Sequence, residues 1–438
     1  MSTKTTFREH SGPAVADYAP IPSPTDSKHS TLVAGPALRG KRIGMVVLSS
    51  YPDDPRPRRA VEALVKEGAH LDLICADDER SPKRERLVDL EIFRIPIRHH
   101  RGGKLSYAYE YSAFVLMSAG ILAWRSLWRS YDLIYIHNMP DILVLSALLP
   151  KARGAKVILD QHDPMPELMM TIFDLEENSF GVRLIRKLEK WSMVCANLVI
   201  TVNVACKRIF AARSCRPEKI GIVMNSPDGE VFPYREARSY PVSEASGRPF
   251  VIMYHGSLVK RNGLEVAVDA LARVREIVPS AELRIYGSKT DYLEGVLESA
   301  SKHRLDDAIR FLGPRRLEDL ASEIEQCDLG IIPNYRNAFT EINTPTRIFE
   351  YLALGKPVVA PRTSGIQDYF GPESLFFFEP GDSKELAEQI AYVYAHRTQA
   401  IETAERGQQV YLAHTWARER QILVNLVSGL LKENCGAA

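Results

Sequence analysis

Short apolar runs alternate with amphipathic stretches from residue 41 onward. In the first half of the chain this pattern predicts helices over residues 58–67, 107–129 and 180–195. The predicted strands are 43–48, 71–76, 90–95, 133–136, 157–159, 198–202 and 221–224. Alternation of this kind is typical of a parallel sheet that is covered by helices on both faces.

A second alternation of the same type starts at residue 250. It predicts strands over 250–254, 282–286, 310–312, 329–332 and 357–360, with helices over 263–277, 291–303 and 316–325. The predicted fold class is therefore α/β, with two Rossmann-like domains, 39–232 and 250–413, facing each other across a cleft. A polar linker at 233–249 joins them. The cleft is the expected ligand site, because ligands of open parallel sheets bind at the carboxyl ends of the strands.

The composition is that of a globular enzyme with a large core. The 438-residue chain is 45% hydrophobic and 25% charged, with a net charge of +1. This balance gives no support for a nucleic-acid partner. The six cysteines are scattered without a C-x-x-C pair, and no secretory leader is visible. These features favour free thiols, a cytoplasmic location and no structural metal.

Three further features limit the possible functions. Residues 1–38, rich in Ser, Thr, Pro and Ala, are predicted to form a disordered arm. The longest apolar run, 113–124, is shorter than the roughly 20 residues that a membrane-spanning helix requires, so it is predicted to be a core helix. No GxGxxG follows the first predicted strand, and the NAD-binding interpretation therefore lacks its main support.

The segment 341–360 carries the most specific signal in the chain. Thr344 is a good N-cap, Pro345 suits the first helical position, and Gly355 supplies the left-handed residue that ends a helix. The start of such a helix presents unpaired N–H groups and the positive end of the macrodipole. Both favour anions, so this helix is predicted to bind a diphosphate.

Two strips run along the predicted helix. The strip predicted to be buried consists of apolar residues: Ile348, Phe349 and Leu352. A second strip contains Asn343, Arg347 and Glu350. Glu350 would lie about 9 Å along the axis from the N-cap, which matches the span from a diphosphate to a ribose. The alternative is that Glu350 is an ordinary solvated carboxylate.

The motif N-T-P-T-R-I-F-E-Y-L-A-L-G-K-P-V-V at 343–359 resembles the donor-binding helix of family 4 of the glycosyltransferases, also called glycosyl transferases group 1. The resemblance extends over about residues 41–430. It implies the two-domain GT-B fold, in which a closing helix, here within 414–438, crosses back onto the first domain. It also implies a retaining enzyme that uses a nucleotide diphosphate sugar without a metal ion or another cofactor.

In that family two glutamates usually stand eight positions apart, the first contacting the donor sugar and the second the ribose. Glu350 matches the second, whereas Ile342 occupies the position of the first and Glu341 is one residue out of register. The resemblance implies that backbone groups of 342–344 replace the missing contact. Besides Glu350, the predicted donor-binding residues of this segment are Asn343, Thr344, Thr346 and Arg347.

Two histidines are predicted to face the cleft from adjacent strand ends. His137 follows strand 133–136 and His162 follows strand 157–159, although either could be a structural residue. The segment D-Q-H-D-P-M-P-E at 160–167 resembles the family segment in which the histidine approaches the donor sugar. This implies a catalytic positioning role for His162. His137 is predicted to contact the acceptor.

Asp163 and Glu167 stand four positions apart and suggest a carboxylate pair. Pro164 and Pro166 are expected to break the helix that would align them. Two interpretations therefore remain open. Either the segment is a turn in which Glu167 begins the next helix, or one of the two carboxylates binds the acceptor.

Basic residues follow the first strand of the second domain. Family members usually carry an arginine directly after the first glycine of this loop and a lysine before the second, and neither is present here. Lys260 and Arg261 are the predicted substitutes on the diphosphate, with a solvated basic loop as the alternative. Gly256 and Gly287, which follow two predicted strands, are predicted to lie against the nucleotide.

Two basic stretches of the first domain favour contact with the inner face of the plasma membrane. The first consists of Arg94, Arg98, His99, His100, Arg101 and Lys104. The second consists of Arg183, Arg186, Lys187 and Lys190 around Leu184, Leu188 and Trp191. Solvated helix faces explain the same residues equally well.

The function predicted from these features is transfer of a sugar from a nucleotide diphosphate donor to a glycan or lipid-linked glycan. Two alternatives remain open. A nucleotide-sugar epimerase or hydrolase on the same fold would consume the donor without an acceptor. A non-catalytic nucleotide-sugar-binding scaffold subunit would fit the missing first glutamate.

Overall fold

A computed structural model describes residues 37–78, 80–97, 104–238 and 247–432. The predicted disordered arm lies outside the described residues, apart from Ala37 and Leu38. Leu38 is buried in the core of the first domain, and its N–H donates to the carbonyl of Glu67 at 2.9 Å. The folded part of the chain thus includes the last residues that were predicted to be disordered.

Eight strands of the described residues form the sheet of the first domain. They are β1 (Arg42–Ser50), β2 (His70–Ala76), β3 (Arg84–Arg86), β4 (Leu90–Ile95), β5 (Leu133–His137), β6 (Lys156–Gln161), β7 (Leu198–Thr201) and β8 (Ile220–Ile222). Their order is β3-β4-β2-β1-β5-β6-β7-β8, and all pairs are parallel except β3 with β4.

Helices cover both faces of this sheet. They are α1 (Pro55–Lys66), α2 (Lys104–Trp128), α3 (Leu148–Ala152), α4 (Met165–Phe173), α5 (Phe180–Cys195) and α6 (Val204–Arg213), with 3-10 helices at Asp141–Ala147 and Pro217–Lys219. α1 begins three residues before the predicted start, because the side chain of Asp54 accepts a hydrogen bond from Arg56 N and Pro55 stands in the first turn. No helix among the described residues is long and apolar enough to span a membrane.

The sheet of the second domain contains six strands of the described chain. They are β9 (Phe250–His255), β10 (Ala281–Tyr286), β11 (Ile309–Gly313), β12 (Leu329–Ile331), β13 (Val358–Pro361) and β14 (Phe376–Phe378), all parallel, in the order β11-β10-β9-β12-β13-β14. Strand order reverses between β9 and β12, as it does between β1 and β5 in the first domain. Such reversals create the crevices in which ligands of these sheets bind.

The helices of the second half are α7 (Leu264–Ile277), α8 (Asp291–Lys302), α9 (Leu317–Glu325), α10 (Thr346–Ala353), α11 (Ser364–Gln367), α12 (Ser383–Ala395), α13 (Arg397–Ala413) and α14 (Trp416–Lys432). A 3-10 helix spans Lys260–Asn262. The predicted fold class, two α/β units with parallel sheets, is confirmed.

The last helix, α14, belongs to the first domain by packing. Leu423 and Val427 are buried in the same apolar cluster as β1, β2 and α1. Arg420 forms an ion pair of 2.6 Å with Glu67 at the end of α1. The carboxylate of Glu419 accepts a hydrogen bond of 2.8 Å from Met224 N, directly after β8. The predicted crossing of the closing helix is confirmed.

Truncation of Leu423 to alanine should lower the free energy of unfolding of the first domain by about 2–5 kcal/mol, the range for a buried leucine. The measurement is urea unfolding followed by tryptophan fluorescence. All four tryptophans lie in helices of the first domain or in α14: Trp124, Trp128, Trp191 and Trp416. Ile422→Ala is the control, since Ile422 is 40% exposed on the same helix. Equal losses in both variants would contradict this packing.

Candidate functional site

A cavity of about 340 Å³ opens between the two domains. Residues 54–56 at the start of α1, together with His162 and Asp163 directly after β6, form its first-domain wall. Its second-domain wall is the segment 343–346, which leads into α10. The structure therefore brings together the predicted residues His162, Asp163, Asn343, Thr344 and Thr346. They meet at the carboxyl ends of the strands, where ligands of such sheets bind.

The loop after β6 is held in place by a buried side chain that the sequence analysis missed. Asn138 Oδ1 accepts a hydrogen bond of 3.1 Å from His162 N, and Asn138 Nδ2 donates one of 2.6 Å to the carbonyl of Asp163. Asn138 thereby fixes the backbone beside His162. His162 is half-buried, and its Nδ1 has no hydrogen-bond partner in the described part of the chain.

His137 lies beneath this loop and does not line the cavity. It is the last residue of β5 and is fully buried, with Nδ1 3.4 Å from a carboxylate oxygen of Asp160. Burial lowers the pKa of His137 to about 4, which keeps the ring neutral. The prediction that His137 faces the cleft and contacts the acceptor is wrong, because β5 extends one residue further than predicted and carries the ring into the core.

Asp160 is the centre of a buried charge network under the cavity. Its carboxylate forms an ion pair of 2.6 Å with Arg56 and accepts a hydrogen bond of 2.9 Å from the hydroxyl of Tyr135. Burial acts to raise the pKa of Asp160, but the guanidinium of Arg56 outweighs it and the pKa lies below its ordinary value. Arg56 lines the cavity, so this ion pair forms part of the cavity floor.

Asp163 and Glu167 have separate surroundings. No helix aligns the two carboxylates, as expected, because Pro164 is the N-cap of α4 and the helix begins at Met165; Pro166 is accepted in its first turn, where its missing N–H costs nothing. Glu167 is buried within α4 and forms a two-pronged ion pair with Arg213 at 2.6 and 2.9 Å. This ion pair makes Glu167 a structural residue, which contradicts the acceptor interpretation for it. Asp163 precedes α4 and lines the cavity.

The start of α10 carries no side-chain cap. Pro345 occupies the N-cap position, and the hydroxyl of Thr344 donates instead to the carbonyl of Gly365 at 2.6 Å. The prediction of Thr344 as N-cap is therefore wrong by one residue. Among the described residues, no protein acceptor pairs with the backbone N–H of Asn343, Thr344 or Thr346. These three amides lie on the cavity wall, at the positive end of α10.

Glu341 cannot take the place of the missing first glutamate. Its Oε1 accepts a hydrogen bond of 3.0 Å from Ser364 N, and its Oε2 forms an ion pair of 2.8 Å with Arg336. Its backbone carbonyl accepts from Gly365 N at 2.9 Å. These contacts join the segment before α10 to the start of α11, and Glu341 is not part of the cavity wall.

Arg347 and Glu350 follow on the predicted strip of α10. Arg347 Nη1 donates to the carbonyl of His255 at 2.8 Å, and its guanidinium lies 4.8 Å from the centre of the Tyr254 ring. Glu350 lies 3.4 Å from Nε2 of His255. Burial raises the pKa of Glu350 to about 7, against the opposing influence of Arg347 and Arg59. Burial also lowers the pKa of His255 to about 3, so this ring is neutral.

Arg59 brings a first-domain cation towards Glu350, and the sequence analysis missed it. It is buried in α1, where it donates to the carbonyl of Ser226 and to the side chain of Asn225. Burial lowers its pKa to about 10, and the carboxylate of Glu350 is the strongest influence in the opposite direction. The sequence shows only two adjacent arginines, Arg58 and Arg59, on a predicted helix. It could not predict that Arg59 lies near Glu350, because that depends on how the two domains are arranged.

The two glycines of the second domain lie at strand ends and permit close backbone approach. Gly256 follows β9 with φ +128°, and Gly287 follows β10 with φ +155°. A Cβ on Gly287 would lie 2.2 Å from the carbonyl oxygen of Gly256. A Cβ on Gly256 would lie 3.2 Å from Nη1 of Arg347. Glycine is therefore required at Gly287, and both positions adjoin the start of the α10 site.

Lys260 and Arg261 form a 3-10 turn beside these glycines. Lys260 is exposed, whereas Arg261 is half-buried and lies 6.0 Å over the ring of Phe339. Burial lowers the pKa of Arg261, and Asp163 of the first domain opposes that shift. Arg261 therefore faces the cleft, as expected for a residue that meets a bound anion there.

Taken together, the cavity wall holds Arg56 and amides at a helix start that lack a protein acceptor in the described chain, and the largely buried carboxylate of Glu350 stands further along the same helix. Groups of this kind suit a diphosphate at the amides and hydroxyl groups at the carboxylate. The segments of both domains that line the cavity would enclose whatever group extends from the diphosphate.

Two family models match the chain. Residues 55–226 match the glycosyl transferase 4-like domain, and residues 249–396 match glycosyl transferases group 1. The two matches fall on the two parallel sheets, and the second contains α10.

Similar proteins agree with these models. A probable glycosyltransferase, WbjE from Pseudomonas aeruginosa, is 24% identical over 289 residues, covering 64% of this chain and 69% of that protein. The structure of sucrose-phosphate synthase from Thermosynechococcus elongatus matches with a TM-score of 0.70 at 18% identity, over 91% of this chain and 100% of that one.

HepE from Anabaena, in a structure that contains UDP, matches with a TM-score of 0.65 at 18% identity, over 89% of this chain and 100% of that one. The two structural matches show the same fold, with both domains included. The parallel sheets, the crossing helix, the uncapped start of α10 and the two family models agree, and the chain belongs to the group 1 glycosyltransferases of the two-domain GT-B fold.

Proposed function

We propose that this protein is a retaining, metal-independent glycosyltransferase that moves a sugar from a nucleotide diphosphate donor to a glycan or lipid-linked glycan. One observation carries the proposal. The start of α10 has no side-chain cap, the amides of Asn343, Thr344 and Thr346 on the cavity wall have no protein acceptor among the described residues, and the largely buried Glu350 lies further along the same helix. The distance along the helix from its first amides to Glu350 is comparable to the distance between the diphosphate and the ribose in a nucleotide sugar.

In this arrangement the amide of Thr346, at the start of α10, stabilises the charge of the departing diphosphate, and the amides of Asn343 and Thr344 face the donor sugar. Arg261 adds a second source of positive charge. Arg347 donates a hydrogen bond to the His255 carbonyl, which fixes the start of the helix to the end of β9. Glu350 holds the ribose. UDP is the first nucleotide to test, since it is bound in the HepE structure.

His162 is the proposed positioning residue for the donor sugar. It lines the cavity opposite the start of α10, its backbone is fixed by Asn138, and its Nδ1 is free of protein hydrogen bonds among the described residues. A ring nitrogen in this position can bind a sugar hydroxyl. The retaining outcome follows from the family resemblance and is measured by NMR of the anomeric proton of the product.

Peripheral membrane contact is proposed through helices α2 and α5, which both pack on the 3-10 helix Asp141–Ala147 on one face of the first sheet. The exposed residues of α2 from residue 109 onward are all uncharged: Tyr109, Ser112, Leu116, Met117, Gly120, Trp124, Leu127 and Trp128. The exposed charges of α5 are all positive: Arg183, Lys187 and Lys190. An apolar surface of this size with basic residues at one side suits an anionic lipid surface.

The basic stretch before α2 contributes less than predicted. Arg94 is buried and forms an ion pair of 2.9 Å with Glu85, so it cannot contact a membrane. Arg98, His99, His100 and Arg101 lie outside the described residues, as does the side chain of Lys104. In α5, Arg186 forms an ion pair of 2.8 Å with Glu177.

A non-catalytic nucleotide-sugar-binding subunit is the second candidate. The observation that favours it is the absence of a carboxylate at the sugar position, because Ile342 is buried and Glu341 is held by Ser364 and Arg336. Such a subunit would bind nucleotide sugars without converting them. Turnover with an acceptor therefore separates the two candidates.

Nucleotide sugars that bind should raise the melting temperature of the protein by several degrees, because ligand at 100 times its Kd adds about 2.7 kcal/mol. The measurement compares UDP-, GDP-, ADP- and dTDP-sugars, each with magnesium and with EDTA. One nucleotide class should give the shift with and without metal. Glu350→Gln, which keeps the shape of the side chain, should reduce the shift. No shift with any nucleotide would reject the donor site.

Donor affinity should fall below neutral pH. The pKa of Glu350 is raised to about 7 in the empty protein, so the carboxylate that accepts ribose hydrogen bonds becomes protonated as the pH falls. Between pH 8 and pH 6 the ionised fraction drops about tenfold, and the Kd should rise by about the same factor. Calorimetric titration of UDP across this range measures it. Glu350→Gln is the control, and an equal slope in that variant would contradict the assignment.

Vesicle binding tests the membrane surface. The protein should cosediment with vesicles that contain anionic phosphatidylglycerol and less with neutral phosphatidylcholine vesicles. Lys187→Glu with Lys190→Glu should reduce binding by about tenfold or more, since each cation near an anionic surface contributes about 1 kcal/mol. Lys384→Glu with Lys302→Glu, in the second domain, is the matched control. Equal losses in both pairs would assign the effect to net charge alone.

A further inference from the structure

The segment before α10 reaches out of the second domain into the first. The side chain of Ile342 is 7% exposed and belongs to the apolar cluster that β5, β6 and α6 form in the first domain. Its carbonyl oxygen lies 4.0 Å from Sγ of Cys206 in α6. Ile342 stands at the position where the family resemblance expects the sugar-binding glutamate. In this chain that position is an apolar anchor between the domains.

One buried side chain of the first domain holds the backbone of the same segment. Asn203 Nδ2 donates to the carbonyl of Ile342 at 2.8 Å and to the hydroxyl of Thr344 at 3.0 Å. Asn203 Oδ1 accepts a hydrogen bond of 2.8 Å from Cys206 N and caps α6. Asn203 is fully buried, so its two ends bind the two domains without competition from water.

These contacts determine how the segment presents its amides. In a trans peptide the carbonyl and the following N–H point in opposite directions. The bond from Asn203 to the Ile342 carbonyl therefore fixes the direction of the Asn343 N–H, which has no protein acceptor among the described residues. Thr344 is fixed in the same way, because its hydroxyl accepts from Asn203 and donates to Gly365.

We infer that Asn203 is a positioning residue for the donor sugar. It orients the backbone of 342–344 from across the cleft, so that the sugar-binding amides are assembled only when the two domains are closed. The inference rests on the proposed function. It adds that this chain replaces the missing glutamate with a contact between domains, in which Ile342 is the anchor and Asn203 the hydrogen-bond donor.

Two variants distinguish the role of Asn203 Oδ1 from that of Asn203 Nδ2. Asn203→Ser and Asn203→Asp both keep an oxygen that can cap α6, and both remove the Nδ2 donor to the segment. The control is Arg208→Ala. Arg208 lies on the same helix and pairs with Asp368 of the second domain, and no hydrogen bond joins it to residues 342–344. It reports a general weakening of the domain contact.

The Kd of UDP and the Kd of UDP-glucose are measured for the wild-type protein, the two Asn203 variants and Arg208→Ala. If the melting-temperature measurements select another base, the corresponding nucleoside diphosphate and its sugar are used instead. UDP occupies α10 and Glu350, so its Kd should stay within about twofold in the Asn203 variants. The Kd of the nucleotide sugar should rise and kcat should fall by about tenfold each, the order of a lost hydrogen bond or two. Arg208→Ala should change neither by more than about twofold.

Several outcomes would overturn the inference. Unchanged sugar-nucleotide affinity and kcat in both Asn203 variants would do so, as would equal losses in Arg208→Ala. If the wild-type protein binds no nucleotide at all, the proposed function fails. Hydrogen exchange then tests the contact by itself, at the amides of Ile342 and Gly365, which donate to the carbonyls of Phe339 and Glu341. These two amides should exchange at least about tenfold faster in Asn203→Ser than in Arg208→Ala, and equal rates would overturn the inference.

Ile342→Glu gives an independent test, because it restores the glutamate that the family resemblance expects. A carboxylate at this buried position has no cation to pair with in the first-domain cluster, so it should open the domain contact. Activity should fall by tenfold or more. A gain in activity would show that position 342 still faces the donor sugar, and would overturn the inference.

Discussion

The whole site depends on an uncapped helix start. Most helices satisfy their first amides with a Ser, Thr, Asp or Asn side chain. In α10 the N-cap is Pro345, and the nearest hydroxyl, that of Thr344, is drawn away by Asn203 and Gly365. The amides consequently remain available, and the positive end of the helix faces the cavity. Leaving them unpaired costs stability in the empty protein, which a bound anion would recover.

Two of the buried or half-buried arginines near the cavity form ion pairs with carboxylates. Arg56 is matched by Asp160 beneath the cavity, and Arg213 by Glu167 and Glu189 behind it. Glu350 lies 3.4 Å from the neutral ring of His255 and forms no ion pair with an arginine among the described residues, so burial raises its pKa. An unmatched buried carboxylate is typical of a site that awaits a ligand.

The sequence predicted the parts of the structure that follow from local pattern. The sequence correctly predicted the two βα alternations, the extent of α5 and the buried stripe of α10, because each depends on residues close together in the chain. The positions of His137 and Glu167 were not predicted correctly, because a single added strand residue buries the first and Arg213, 46 residues away, binds the second. Asn138, Arg59 and Asn203 were missed for the same reason: their partners come from distant segments or from the other domain.

The chain passes between the domains twice, after β8 and again before α14. Both passages lie close together, since Met224 N donates to Glu419 at 2.8 Å and His414 lies 3.0 Å from the same carboxylate. Two adjacent covalent connections define a hinge axis, so the domains can rotate about it but cannot slide apart. The contact between Asn203 and the segment before α10 lies beside these passages, because Val204 N donates to the hydroxyl of Tyr369 at 3.0 Å and the Tyr369 ring lies 5.3 Å from that of His414. A rotation of the domains about the hinge would therefore act directly on the segment that precedes α10.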